Sequence, residues 1–372
     1  MLSLKGLFEL LGFQEQQYNA VGRIFHFMSC RGQYDQAKLT PDDLDEFLES
    51  RLADDTKMGG VVAFINIVQK MRYDLRGCGE RQEMKDVKLP YEGFNKDVEE
   101  YGILDAIEPN KTSNTRYVIF GCAEVGLRKR MNFIKGVLEE NKNVICLAGD
   151  RALWADYTGS DEQLYIHGES STFNLIEKLN PRHNIEDIKK QINTYCDKNK
   201  QEIINGKLKI TKVREEIIKM NSTIKWPTES DLARYLAHEI LGIDDVRVVE
   251  GEKDPAINRP TTDTTVVALY KYDAKHNYTG YSCFVSNAPH ICKQNVSVKK
   301  YYPKSDTCGS GVDLDTMQKS SSILEAICGH LFEAGESLRQ KNVEIMQQNS
   351  NVGLHLTNAS GEAVSLIPEG RG

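Results

Sequence analysis

The sequence predicts an α/β protein: a Rossmann-like, doubly wound parallel sheet with an N-terminal helical domain and a helical insertion. Three observations carry this. Apolar runs that end in glycine occur at Tyr117-Val118-Ile119-Phe120-Gly121 and between Asn143 and Gly149, as expected of strands buried on both faces. A helical period from Leu127 to Leu138 lies between them, which makes a strand-helix-strand unit. The same alternation resumes after Trp226.

Taken in order, residues 1–112 read as a helical domain. Leu2 to Phe13 is a short amphipathic segment that Glu9 interrupts, so it reads as a packing helix and not as a signal peptide. Tyr18, Val21, Phe25 and Met28 keep a helical period. Thr40-Pro41-Asp42-Asp43 is a helix start with a capping hydroxyl, a first-turn proline and two acids, and Leu44, Phe47, Leu48 and Leu52 supply the apolar face. Val61 to Tyr73 reads as a further helix.

The α/β domain spans 113–310, with a polar, lysine-rich helical insertion at about 160–225. Helical pattern appears there at Ile185 to Ile204 and Val213 to Met220. Thr228 with Asp231 approximates a capping box, and Gly242 closes that helix. Val246 to Val249 is a third strand, Thr261 or Thr262 opens another helix, Tyr281 to Val285 is a fourth strand, and Pro289 begins a helix. Residues 311–348 carry a long C-terminal helix with Leu324, Ile327, Leu331 and Leu338 inward. The segment 349–372, rich in Gly, Ser and Asn, reads as a flexible tail.

Composition limits the function. Hydrophobic residues are 40% and charged residues 27% of the 372-residue chain, values usual for a soluble globular protein. The net charge of -7 argues against general nucleic-acid binding, which needs a basic face. No apolar stretch is long enough to span a membrane. The nine cysteines form no CxxC pair, so free thiols in a reducing cytoplasm are expected, with no structural zinc.

In a doubly wound sheet, ligands bind beyond the carboxyl ends of the strands. The four exit loops expected there are Gly121-Cys122-Ala123-Glu124-Val125-Gly126, Gly149-Asp150-Arg151, Arg259-Pro260-Thr261-Thr262-Asp263-Thr264 and Ser286-Asn287-Ala288-Pro289-His290. Glycines admit close approach of a backbone amide to an anion, and helix N-termini supply N–H groups and positive potential. Arg128 can reach back as a bidentate clamp.

The order of these motifs resembles the YdcF/SanA/ElyC group, a bacterial domain of unknown function. Gly121 and Arg128 match its first strand and helix, Gly149 its second strand end, and Glu229 its helix-opening acid. Thr261-x-Asp263-Thr264 stands where that group has Thr-x-Glu-Asn, and Ser286-x-x-x-His290 with Lys293 matches its last element. Asp150, Asp263, Thr264 and Lys293 depart from the group's usual residues. The resemblance implies a Rossmann-like fold and a nucleotide-type ligand, S-adenosylmethionine included.

The expected site follows. Gly121, Cys122, Arg128, Gly149, Asp150, Thr261, Ser286, Asn287 and Lys293 bind a nucleotide-like or other anionic small ligand, and His290, Glu229 and Asp263 handle protons or hydroxyls. The activity expected is that of a transferase or hydrolase. One alternative is a Cys-His hydrolase using Cys122 and His290. Another is a non-enzymatic interaction protein or secreted bacterial effector whose helical regions bind a protein partner.

Overall fold

The computed structural model describes residues 4–29, 57–76, 91–110, 115–122, 124–138, 143–149, 171–204, 207–208, 210–252, 260–314 and 320–353. The expected helix at 40–52, and with it Asp150, Arg151 and Arg259, lies outside these residues. Four helices come first: α1 (Leu4–Leu10), α2 (Tyr18–Ser29), α3 (Lys57–Arg76) and α4 (Phe94–Tyr101). Then follow β1 (Arg116–Phe120), α5 (Glu124–Lys135) and β2 (Val144–Ala148). The insertion holds α6 (Ser171–Leu179), α7 (Ile185–Ile204) and α8 (Ile210–Met220). The α/β alternation returns with α9 (Glu229–Leu236), β3 (Arg247–Glu250), α10 (Thr262–Lys275), β4 (Ser282–Asn287), α11 (Ile291–Tyr301), β5 (Asp306–Ser310) and α12 (Ser320–Gly353).

The five strands form one parallel sheet in the order β3-β2-β1-β4-β5. The chain steps outward from β1 through β2 to β3, then returns to the other side of β1 for β4 and β5. The winding direction therefore reverses between β1 and β4, where Ile119 pairs with Val285. Every residue of β1 and β2 is buried, which explains the apolar runs at 117–120 and 144–148.

Alternation along the strands divides the core into two layers. On one face Tyr117, Ile119, Cys146, Cys283 and Val285 meet Leu127, Met131 and Ile134 of α5 and Leu232 and Leu236 of α9. On the other, Val118, Phe120, Leu147 and Phe284 meet Val266 and Leu269 of α10 and Val298 of α11. The capping box at α9 forms as its sequence predicts: Thr228 Oγ1 accepts from the Asp231 amide at 3.2 Å, and Asp231 Oδ2 accepts from the Thr228 amide at 2.9 Å. The helix runs on as a π turn, Ala237–Leu241, and Gly242 caps it.

The helical regions attach in two different ways. In the insertion, Ile176, Ile188, Ile192, Cys196, Val213 and Ile217 form a small core that Trp226, just beyond it, completes. The N-terminal helices instead share a core with α12: Leu7, Phe25, Phe64 and Phe94 pack with Leu324, Ile327 and Leu331. The linking segment lies along the edge of β5, where Ile107 and Gly309 exchange backbone hydrogen bonds of 3.0 and 2.9 Å. This bridge occupies part of an edge that would otherwise be open to pairing.

Sequence reading misses β5. Its residues, Asp-Thr-Cys-Gly-Ser, have neither an apolar run nor a polar alternation, so the sequence marks no strand there. Pairing with β4 makes it a strand, and Cys308 is fully buried there.

Candidate functional site

A cavity of about 260 Å³ opens at the reversal point, at the carboxyl ends of β1 and β4. Gly121 and Cys122 bring the exit of β1 to it. Gly126 and Arg130 come from α5, Thr262 from the start of α10, Asn287 from the end of β4, and His290, Lys293 and Gln294 from the start of α11. Two glycines shape it. A Cβ on Gly121 would stand 2.4 Å from the Leu147 carbonyl oxygen, so only glycine lets β1 leave the sheet so close to β2. A Cβ on Gly126 would stand 2.7 Å from Cys122 Sγ and 3.9 Å from Asn287 Oδ1, filling the wall between them.

Arg130 is the central side chain. It is 3% exposed, yet the bonds it makes go to neutral oxygens. Nε donates to Asn287 Oδ1 at 2.8 Å, and Nη1 donates to the carbonyls of Phe120 at 2.6 Å and Gly121 at 3.2 Å. These bonds use three of the five guanidinium N–H groups, and among the described residues those of Nη2 make none. The guanidinium thus ties the end of β1 to the end of β4 across the reversal. A buried cation held only by dipoles costs free energy that an arriving anion recovers.

The remaining wall is polar. His290 is the N-cap residue of α11, and its amide donates to the Asn287 carbonyl at 2.9 Å. Ser286 Oγ, fully buried, donates to Gln294 Oε1, which leaves the Gln294 –NH2 as a donor. Thr262 occupies the first turn of α10, behind the Thr261 cap. Three helix N-termini, those of α5, α10 and α11, thus border the cavity, each adding positive potential.

The structure divides the expected site residues. Gly121, Cys122, Asn287, His290 and Lys293 come together around the cavity. Ser286 supports it from behind through Gln294. Arg128 does not line it. Its Nε donates to Glu124 at 2.9 Å and its Nη atoms to Glu239 at 2.8 and 3.1 Å, and chiefly the Glu239 bond holds its pKa above the ordinary arginine value. Residues 128 and 130 lie about 200° apart around a helix, so Arg130 takes the inward position expected of Arg128. Glu229 and Gly149 pair with each other at the end of β2, where the Gly149 amide donates to Glu229 Oε2 at 3.3 Å. Asp263 faces α11, accepting from Lys300 at 3.4 Å and Tyr301 at 3.3 Å. Thr261 accepts from the Thr264 amide as a cap. Asp150 lies outside the described residues.

Sequence reasoning reaches Gly126 and Thr262 only as members of the expected exit loops, and it misses Arg130 and Gln294. The signal for Arg130 is present all the same. Leu127, Met131 and Ile134 mark the buried stripe of α5, and Arg130 lies on that stripe at i+3 from Leu127, a place where a charge needs a reason.

Among the described residues no group of three or more His, Cys, Asp or Glu side chains is arranged to hold a metal ion, and no helix is long and apolar enough to cross a membrane. Comparison with family models, with curated proteins and with solved structures finds no match to this chain, so the likeness to the YdcF/SanA/ElyC group rests on its motifs alone.

Proposed function

We propose that the cavity at the β1–β4 reversal binds a small anionic ligand. The observation that carries this reading is Arg130, a buried guanidinium bonded to neutral oxygens only, on the wall of a cavity that Lys293 also lines. In doubly wound sheets the reversal point is where ligands bind, and the surrounding helix N-termini favour negative charge. Gly121 and Gly126 leave room, Arg130 and Lys293 supply charge, and His290 and Asn287 orient the ligand. Nucleotides fall within this class, and S-adenosylmethionine fits it through its carboxylate alone.

The test is a titration of the full chain with inorganic phosphate, followed by thermal melting. Ligand that binds only the folded state raises Tm by mass action. Phosphate should raise Tm in the native chain and do so less in Lys293→Gln. Equal shifts in both proteins would remove the cavity from the account.

A second reading makes Cys122 a nucleophile with His290 as its base. It is favoured by the presence of both among the residues that line the cavity. It predicts rapid alkylation of Cys122 whose rate follows the titration of His290, whereas pure ligand binding requires no such dependence.

A further inference from the structure

We infer that the ligand is a compact phosphomonoester of a polyol, such as a sugar phosphate, held without recognition of a nucleobase. This rests on the anion-binding reading above and specifies its substrate class.

The wall chemistry falls into two parts. Arg130 and Lys293 present cations, and a phosphomonoester carries a charge of about -1.5 to -2 at neutral pH. The Nη2 pair of Arg130 is a fork suited to two oxygens of one phosphate. The other polar groups, the Gln294 –NH2, the Thr262 hydroxyl and the His290 imidazole, are hydrogen-bonding groups suited to alcohols. A nucleobase binds best by stacking on a ring with its edge hydrogen-bonded. Among the described lining residues the one ring is that of His290, at the N-cap of α11. The volume of about 260 Å³ lies near the lower end of the roughly 300–1,000 Å³ of small-ligand pockets, room enough for a sugar phosphate.

Neutral polar groups on this wall are also held in fixed directions. Asn287 Oδ1 is committed to Arg130 and its Nδ2 to the Ala288 carbonyl at 2.9 Å. Gln294 is fixed by Ser286 from behind. Preorganised amides discriminate by leaving buried donors unpaired when a hydroxyl is missing.

The experiment compares matched ligands by calorimetric titration of the full chain. The ligands are inorganic phosphate, ribose 5-phosphate, adenosine monophosphate and adenosine. Ribose 5-phosphate and adenosine monophosphate differ chiefly by the base. The inference predicts that ribose 5-phosphate binds at least tenfold tighter than inorganic phosphate and no weaker than adenosine monophosphate, and that adenosine does not bind. Gln294→Leu should abolish the advantage of the sugar phosphate over phosphate while phosphate itself still binds. Tenfold tighter binding of adenosine monophosphate than of ribose 5-phosphate overturns the inference and leaves the anion site standing. Equal binding of phosphate and ribose 5-phosphate also overturns it. Absence of binding by every phosphorylated ligand overturns the anion site as well.

Discussion

Arg130 Nε donates to Asn287 Oδ1 at 2.8 Å, joining α5, which follows β1, to the end of β4. That bond crosses the point where the sheet reverses its winding. It also sets the charge state of the cavity, because Asn287 supplies a dipole where a carboxylate would supply a counter-charge. Asn287→Asp should therefore fill the proposed anion site from within. Phosphate affinity is expected to fall at least tenfold, about 1.4 kcal/mol, with Tm unchanged or raised. Calorimetry paired with thermal melting checks this, and unchanged affinity would mean that the ligand does not depend on Arg130.

A second buried guanidinium lies at the opposite end of β1, and its contrast with Arg130 is instructive. Arg116 is 2% exposed, donates to both Asp273 carboxylate oxygens at 2.6 Å and to Ser282 Oγ at 3.0 Å, and stacks 3.7 Å from the Tyr278 ring. Tyr302 donates to the same carboxylate at 2.7 Å. Here the charge is matched within the protein and serves the fold. Asp273→Ala leaves Arg116 buried and uncompensated, and should cost about 3–5 kcal/mol. Urea unfolding measures it. The double variant Asp273→Leu with Arg116→Met should recover much of the loss, since the charge and its partner leave together.

His330 makes stability depend on pH. Its ring meets those of Phe13 and Tyr101, with Nδ1 2.8 Å from the Tyr101 hydroxyl, and burial lowers its pKa to about 4. The unfolded chain takes up this proton near pH 6.5, while the folded chain resists until about pH 4. Its contribution is complete above pH 6.5 and declines as pH falls to about 4, by at most roughly 3 kcal/mol. Denaturation across this range should show the decline, and His330→Gln should flatten it. An unchanged slope in the variant would assign the pH dependence to other groups.

Thiol reactivity should rank by position. Burial pushes Cys146 up to about 12 and Cys196 and Cys292 up to about 11, and Cys283, Cys308 and Cys328 are fully buried. Cys122 lies on the cavity wall, partly exposed. Among these seven, iodoacetamide should label Cys122 fastest, by roughly tenfold or more, and bound phosphate should slow it. Peptide mapping reads the order. Labelling of Cys122 that phosphate leaves unchanged would place the anion elsewhere.

Much of the fold is legible in the sequence because local and global signals agree. β1 and β2 announce themselves as apolar runs, Thr228 with Asp231 starts α9, and Ile185–Ile204 has the predicted bounds of α7. What escapes is set by tertiary context. β5 is a strand only because β4 pairs with it and Ile107 covers its edge. In the site, the β1 and β4 exits are legible because glycine and small polar residues cluster there. The choice between Arg128 and Arg130 is not made by motif spacing. It is made by helix phase, which turns Arg128 to Glu239 and Arg130 inward. Glu229 and Asp263 carry the dipole-facing positions expected of site acids, and the fold uses both for its own contacts.

The most direct test of the central claim is a crystal grown with tungstate, a heavy tetrahedral oxyanion, and read by anomalous scattering. The account predicts one strong peak in the cavity, within hydrogen-bond distance of Arg130 Nη2 and Lys293 Nζ. A peak beside Arg128 or at the end of β2, with the cavity holding only solvent, would contradict it.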